Sequence, residues 1–306
     1  MRASNLALVE NPAPLALRFA AEKQASQANL GLTVAGLWTA LREPGGPEPS
    51  VLLAAWLADH EPERAWLRAF ATATGDPFPP ASLEDLWRLY ALHRVLDRLL
   101  LHLRPSPDAP QGTLSEAAYL RFVEALGIRA TNPTTFHPFD CECVRIEAAP
   151  DHARPNLTRV HWPCLMLGPL LLQRAGVDVT ASADRLHPAA ATNVLHWAHR
   201  RQGRPTVDLA DGWGSNSQWR TSFRRDYRLG DMLHYQVDGT LDLSLPWPLV
   251  DPAQQEIVEL DQLTRSQRRH VLRHRYVPWG PYGEELWPWD DTWSEPIADP
   301  EGSVVP

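Results

Sequence analysis

Lysine is nearly missing from this chain. Lys23 is the only one among 306 residues, so chemistry that depends on a buried lysine must use it or be set aside. Its Ala/Gln-rich helical setting is unlike that of a Schiff-base or kinase lysine, and no Gly-x-x-x-x-Gly-Lys-Ser/Thr loop occurs. P-loop nucleotide hydrolysis, kinase chemistry and lysine Schiff-base catalysis are therefore disfavoured.

Cysteine is scarce too. Cys141, Cys143 and Cys164 are odd in number and cannot all pair within one chain, which argues against a secreted disulfide scaffold and for reduced thiols. Long apolar runs are lacking as well. The segment from Leu165 to Ala175 is broken by Gly168, Pro169, Gln173 and Arg174, so no membrane-spanning helix is expected. Glu10, Asn11 and two prolines interrupt the first 21 residues where a signal peptide would be apolar. These readings predict a cytoplasmic location and no membrane partner. A net positive charge is absent: the formal charge is −8, which disfavours nucleic acid as a partner for the whole surface.

The 44% hydrophobic content can build a sizeable core, and the 29 prolines are scattered as loop punctuation. The pattern predicts an α+β fold, with a helical N-terminal unit packed against a mixed α/β unit that carries a small, mainly antiparallel sheet. The helical unit covers residues 1–104, a Pro-rich linker 105–112, the α+β unit 113–280, and an acidic Trp/Pro-rich tail 281–306.

Helices are expected at Ala13 to Gln27, Leu30 to Leu41, Val51 to Asp59, Glu61 to Thr74 and Ser82 to Leu103. In the last of these, Ser82 and Asp85 form a capping box, and Leu89, Leu92, Leu96, Leu99 and Leu103 make an apolar stripe. A second capping box, Thr113 to Glu116, opens a helix ending at Gly127, and a third, Thr264 to Gln267, opens one ending near Arg275. Strands are expected at Cys141 to Glu147, Leu157 to Trp162 and Val177 to Ala181. Leu165 to Ala175 reads as a buried helix and Pro188 to Arg201 as a helix with proline in its first turn. His234 to Val237 and Thr240 to Leu243 read as a hairpin around Asp238-Gly239.

The stretch from Asp208 to Tyr227 has the composition of a binding loop. Trp213 and Trp219 are costly to leave in water, Asn216 and Gln218 are versatile hydrogen-bonding groups, and Arg220, Arg224 and Arg225 suit carboxylate or phosphate. Asp208 and Asp211 are the candidate acid–base groups, and Tyr227 closes the segment. The competing reading is a loop whose polar side chains bond local backbone and whose arginines pair with Asp208, Asp211 and Asp226. The functional reading predicts a polar or anionic small-molecule partner and, if there is catalysis, a hydrolase or transferase. The same Trp/Arg surface would alternatively suit a protein partner in a non-catalytic interaction module.

No cofactor is expected. His137, Cys141, Cys143, His161 and Cys164 could serve zinc, but Cys-x-Cys followed by His-x-x-Cys is not the usual knuckle spacing, and core thiols are favoured. His196 and His199 read as helix-surface histidines before a metal pair. Arg265, Arg269 and Arg273 recur every four residues; pairing with the acidic tail is favoured over a nucleic-acid face. Trp287, Trp289 and Trp293 would then hold that tail on the body.

Overall fold

The buried positions of one β-hairpin divide the molecule into two cores. In the computed structural model, which describes residues 34–103, 113–150, 154–208, 219, 221–245, 263–279 and 290–297, β4 (Cys164–Leu167) and β5 (Leu170–Gln173) are buried on both faces. Leu165, Leu167, Leu170 and Leu172 face a helical core, whereas Cys164, Met166 and Leu171 face a second core. That alternation is the period of a strand.

The first core is built by α1 (Val34–Ala40), α2 (Pro49–Asp59), α3 (Glu61–Thr72), α4 (Leu83–Leu103) and α5 (Glu116–Ala125). The leucine stripe of α4 is buried at Leu89, Leu92, Leu96 and Leu99. Its start is the reciprocal box of the sequence: Ser82 N–H donates to the Asp85 carboxylate and Asp85 N–H to Ser82 Oγ. At α5 the cap is Ser115, which accepts from Ala118 N–H, and not Thr113.

The central sheet has seven strands in the order β1-β4-β5-β9-β10-β12-β11, with β1 at Arg129–Thr131, β9 at Asp226–Leu229, β10 at Met232–Tyr235, β11 at Leu241–Asp242 and β12 at Asp291–Pro296. Its pairings are antiparallel except β11 with β12. On its far side, β2 (Cys141–Ala148), β6 (Ala175–Ala181) and β3 (Asn156–Trp162) form a three-stranded sheet in that order, and α6 (Arg265–His274) joins the second core. The fold is α+β, with six α-helices among the described residues. None of these helices is long and apolar enough to cross a membrane.

Three local expectations are corrected. Leu165 to Ala175 is no helix: β4 and β5 turn at Gly168-Pro169, where Gly168 has φ +57° and a Cβ would lie 2.1 Å from the Ala71 carbonyl oxygen. A strand pair buried on both faces has the same continuous apolar run as a buried helix. Pro188 to Arg201 forms one 3-10 turn, Pro188–Ala191, then β7 (Leu195–His196), which pairs in parallel with β8 (Thr206–Val207). Asn193 Nδ2 donates to Val277 O and His196 N–H to Arg275 O, drawing this chain onto the end of α6. Asp238-Gly239 does not join a hairpin, because β12 stands between β10 and β11; the hairpin partner of β10 is β9.

Thr264 and Gln267 do form a capping box, and Arg275 ends α6 in the left-handed region. The arginines of α6 turn onto β12: Arg268 pairs with Asp291 at 2.7 Å, Arg273 with Glu295 at 3.2 Å, and Arg269 lies 5.4 Å from the Trp293 ring. Trp293 stacks on Tyr235 at 5.7 Å, so this part of the acidic tail is a strand of the central sheet. Trp287, Trp289, the linker 105–112 and the helix expected at Ala13 to Gln27 lie outside the described residues.

Candidate functional site

Helix α4 carries a second stripe, and it is polar. Tyr90, His93, Arg94 and Asp97 follow helical spacing and are all buried. Such groups are tolerated inside only when hydrogen-bonded or paired. Asp97 Oδ2 accepts the His199 backbone N–H at 2.7 Å, and its Oδ1 pairs with Arg201 at 2.8 Å. Arg201 also reaches Glu142 on β2, so the segment between β7 and β8 is clamped to both α4 and the far sheet. Burial alone would raise Asp97, but Arg201, with help from His93, outweighs it and holds the carboxyl below its ordinary range.

That clamp sets Asp208, which follows β8. Its carboxylate accepts from the Tyr90 hydroxyl at 2.5 Å, lies 3.1 Å from His199 Nδ1 and 3.8 Å from Arg94 Nε. Arg94 is itself held over the Trp38 ring at 4.8 Å and the Trp219 ring at 4.9 Å, two indoles that meet edge to face. Trp219 thus acts behind Asp208, through Arg94.

Asp208 and Tyr90 form one wall of a narrow cavity whose other walls include His93, Trp197, Phe223, Arg224 and Arg275. Its volume is about 20 Å³, enough for a water or one small polar group. Two of its residues have unusual backbone: Trp197 has φ +53° and Arg275 φ +60°. A bulky side chain in that region costs of order 1–3 kcal/mol, and such strain gathers at functional sites. The Trp197 carbonyl it aims lies 3.2 Å from His93 Nε2, while His93 Nδ1 lies 3.1 Å from Leu172 O.

The cationic wall has more charge than its partner can balance. Arg224 Nε donates to Asp226 Oδ1 at 2.8 Å and Arg275 Nη2 to Asp226 Oδ2 at 2.9 Å. Arg174, also buried, feels the same carboxylate and the repulsion of both arginines. Burial pushes Arg174 down to about 9 and Arg224 to about 10, and Asp226 only partly opposes this. Asp226 itself is held low: burial would raise it, but Arg224 and Arg275 prevail. Arg224 Nη1, Arg275 Nε and Arg174 Nε are buried and make no hydrogen bond among the described residues. Arg224 also lies 4.2 Å from the Trp197 ring.

Of the residues singled out in the sequence, Asp208 and Arg224 therefore meet at one cavity. Arg225 does not join them: it pairs with Asp238 and donates to Pro79 O and the Tyr227 hydroxyl. Tyr227 is buried in the helical core, stacked with Phe78. Asp211, Trp213, Asn216, Gln218 and Arg220 lie outside the described residues. Tyr90, His93 and Arg275 are not among the residues singled out in the sequence as a site, and His196 and His199, read there as helix-surface histidines, have buried side chains outside any helix, with His199 beside Asp208. The available signal was the run of polar groups at helical spacing on the helix that also carries the leucine stripe.

The zinc candidates are dispersed. Cys141, Cys143 and Cys164 are free thiols buried in the second core, His161 Nε2 bonds Asp178 Oδ1 at 2.7 Å, and His137 Nδ1 accepts Phe139 N–H. Among the described residues no three His, Cys, Asp or Glu side chains are grouped to hold a metal.

Comparison of this chain with known protein families, with curated proteins and with solved structures gave no match. The chemistry of the cavity is the remaining guide to function.

Proposed function

We propose that the protein binds a small ligand through one anionic group, a carboxylate or a phosphate, at the Asp208–Arg224 cavity, which widens from its present volume of about 20 Å³ to admit that group. The observation that carries this reading is the gathering of Arg174, Arg224 and Arg275 around the single carboxylate of Asp226. Buried charge without a counter-charge is costly, so an anion entering beside Arg224 and Arg275 gains strongly from both. Asp208, across the cavity and hydrogen-bonded to Tyr90, is the group suited to move a proton, which makes a hydrolase or transferase the enzyme class in view. Arg224 is buried where it lines the cavity, which favours a pocket over a surface for a macromolecular partner.

The test is a thermal-shift titration with inorganic phosphate, acetate and malonate, with an equal concentration of chloride salt as control. A ligand at 100 times its Kd stabilises by about 2.7 kcal/mol, and for a chain of this size each kcal/mol moves the midpoint by about 2–4 °C. We expect a shift from at least one oxyanion that is lost in Arg224→Gln and kept in Arg225→Gln. No oxyanion shift in the native protein, or one that survives Arg224→Gln, would sink the proposal.

A further inference from the structure

A second group of arginines gathers around Trp38. That indole is buried and is met from three segments of the chain: Arg42, just beyond α1, lies 4.3 Å over the ring, Arg94 of α4 lies 4.8 Å from it, and His199, between β7 and β8, lies 5.9 Å from it. Arg98 stands one helical turn beyond Arg94 on the same face of α4, and Arg200 follows His199. Trp38 is thus the hub that draws Arg42, Arg98 and Arg200 together.

Their neighbours are paired, and these three are not. Arg94 lies beside Asp208, and Arg201 holds Asp97 and Glu142. Among the described residues, by contrast, the side chains of Arg42, Arg98 and Arg200 make no ion pair and no hydrogen bond. Arg98 is half-buried. Burial first, and then the charges of Arg200 and Arg42, push it below its ordinary value, and no described carboxylate opposes them. A half-buried cation repelled by two others costs stability, and groups perturbed in this way by burial and by charge collect at binding sites.

The arrangement also selects a ligand. Arg42 and Arg200 are exposed, and both bear on the one half-buried arginine. The charge converges on a point and does not run along a groove, which suits a compact ligand over a nucleic-acid strand. The formal charge of −8 on the whole chain opposes a long polyanion as well. Cations arriving from three segments suit phosphoryl groups, whose oxygens accept from several directions, better than a carboxylate, whose acceptors lie in one plane. A single phosphate gains little from exposed arginines, because water and salt screen each pair. Linked phosphates that meet all three guanidinium groups gain from each of them.

We infer that Arg42, Arg98 and Arg200 form a second anion site, for a compact oligophosphate such as the diphosphate or triphosphate chain of a small molecule. It shares no residue with the Arg224 cavity.

The inference is tested by calorimetry on the full chain, with sodium tripolyphosphate as the probe and citrate as a carboxylate of comparable charge. Arg98→Gln removes the central cation. A double variant, Arg42→Gln with Arg200→Gln, changes exposed positions alone and so keeps the test open if Arg98→Gln does not fold, which circular dichroism decides.

We expect tripolyphosphate to bind the native protein about ten-fold more tightly than citrate, and to weaken by about ten-fold or more in each folded variant. Added sodium chloride should weaken it too, and Arg224→Gln should leave it unchanged. Tripolyphosphate that fails to bind, that binds the double variant as tightly as the native protein, that binds no better than citrate, or that is lost in Arg224→Gln overturns the inference. Because the double variant reports on this site and Arg224→Gln on the cavity, failure of either site does not carry the other with it.

Discussion

Arg201 and Asp97 meet at 2.8 Å with both side chains almost wholly buried, and the same guanidinium grips Glu142 on the far sheet. Burial would lower Arg201, but Asp97 and Glu142 together raise it above its ordinary range. The ion triad joins α4 to β2 of the three-stranded sheet. Removing the cation strands two buried carboxylates. Arg201→Met is expected to destabilise the protein by about 3–5 kcal/mol, read as a lower midpoint in urea unfolding. A change below about 1 kcal/mol would mean that water reaches the triad and screens it.

The second prediction concerns acid. Burial pushes His137, His196 and His270 each down to about 3, with nearby arginines adding to it, and holds His274 well below its ordinary value. In the unfolded chain histidine takes up a proton near pH 6.5. The unfolded state therefore binds more protons between about pH 6.5 and pH 3, and stability falls as pH falls through that window. It is fully present above the unfolded value. Each such group contributes a slope of about 1.4 kcal/mol per pH unit. Denaturant melts at pH 7 and pH 5 should show the fall, and a flat profile would argue that these rings are solvated.

His270 allows a sharper version. Its ring stacks on His274 at 4.3 Å and meets Tyr276 and Trp279 edge-on, yet neither nitrogen makes a hydrogen bond among the described residues. Replacing an unsatisfied polar ring by an apolar one of similar shape is neutral or favourable. His270→Phe should not lower the melting temperature at pH 7, and its advantage over the native protein should widen at pH 5. A destabilised variant at both values would show that the imidazole nitrogens are in use.

The thiols should be inert. Burial pushes Cys141 up to about 11 and Cys164 to about 12, and raises Cys143 further still. Thiolate is the reactive form, so iodoacetamide at pH 8 should leave all three unmodified in the folded protein and label them in urea. Mass spectrometry reads this directly. Rapid labelling of any one of them in the native state would make that cysteine a candidate nucleophile.

At Gly168 the test is steric. Its φ of +57° and the Ala71 carbonyl 2.1 Å from a would-be Cβ leave no room for a side chain. Gly168→Ala should cost about 2 kcal/mol or more in a denaturant melt, because strain and clash act together. The helix first expected across this segment would instead be stabilised by alanine, by up to about 1 kcal/mol.

What the residues announced in advance was mostly local. Ser82 with Asp85 and Thr264 with Gln267 act within one turn of helix, and the leucine stripe of α4 needs only its own periodicity, so each could be read directly. Cys141–Ala148 showed its alternation because one face meets solvent over part of its length. The segment from Leu165 to Ala175 misled because burial on both faces erases that alternation. Asp238-Gly239 misled because its turn signal says nothing of β12, which arrives from far along the chain. At the site, Asp208 and Arg224 were legible from composition. Their companions Tyr90 and His93 come from a helix more than a hundred residues earlier, a distance in sequence that no spacing rule bridges.

β12 lies inside the central sheet, flanked by β10 and β11, although it is the last strand in sequence among the described residues. During synthesis on the ribosome, β10 therefore emerges, pairs with β9, and waits with one edge open until Asp291–Pro296 leaves the exit tunnel. The nascent protein must pass through a stage in which its main sheet can recruit a strand from a neighbour. Crowded polysomes, and any stop codon before Asp291, are the circumstances in which this chain is most prone to assemble with itself.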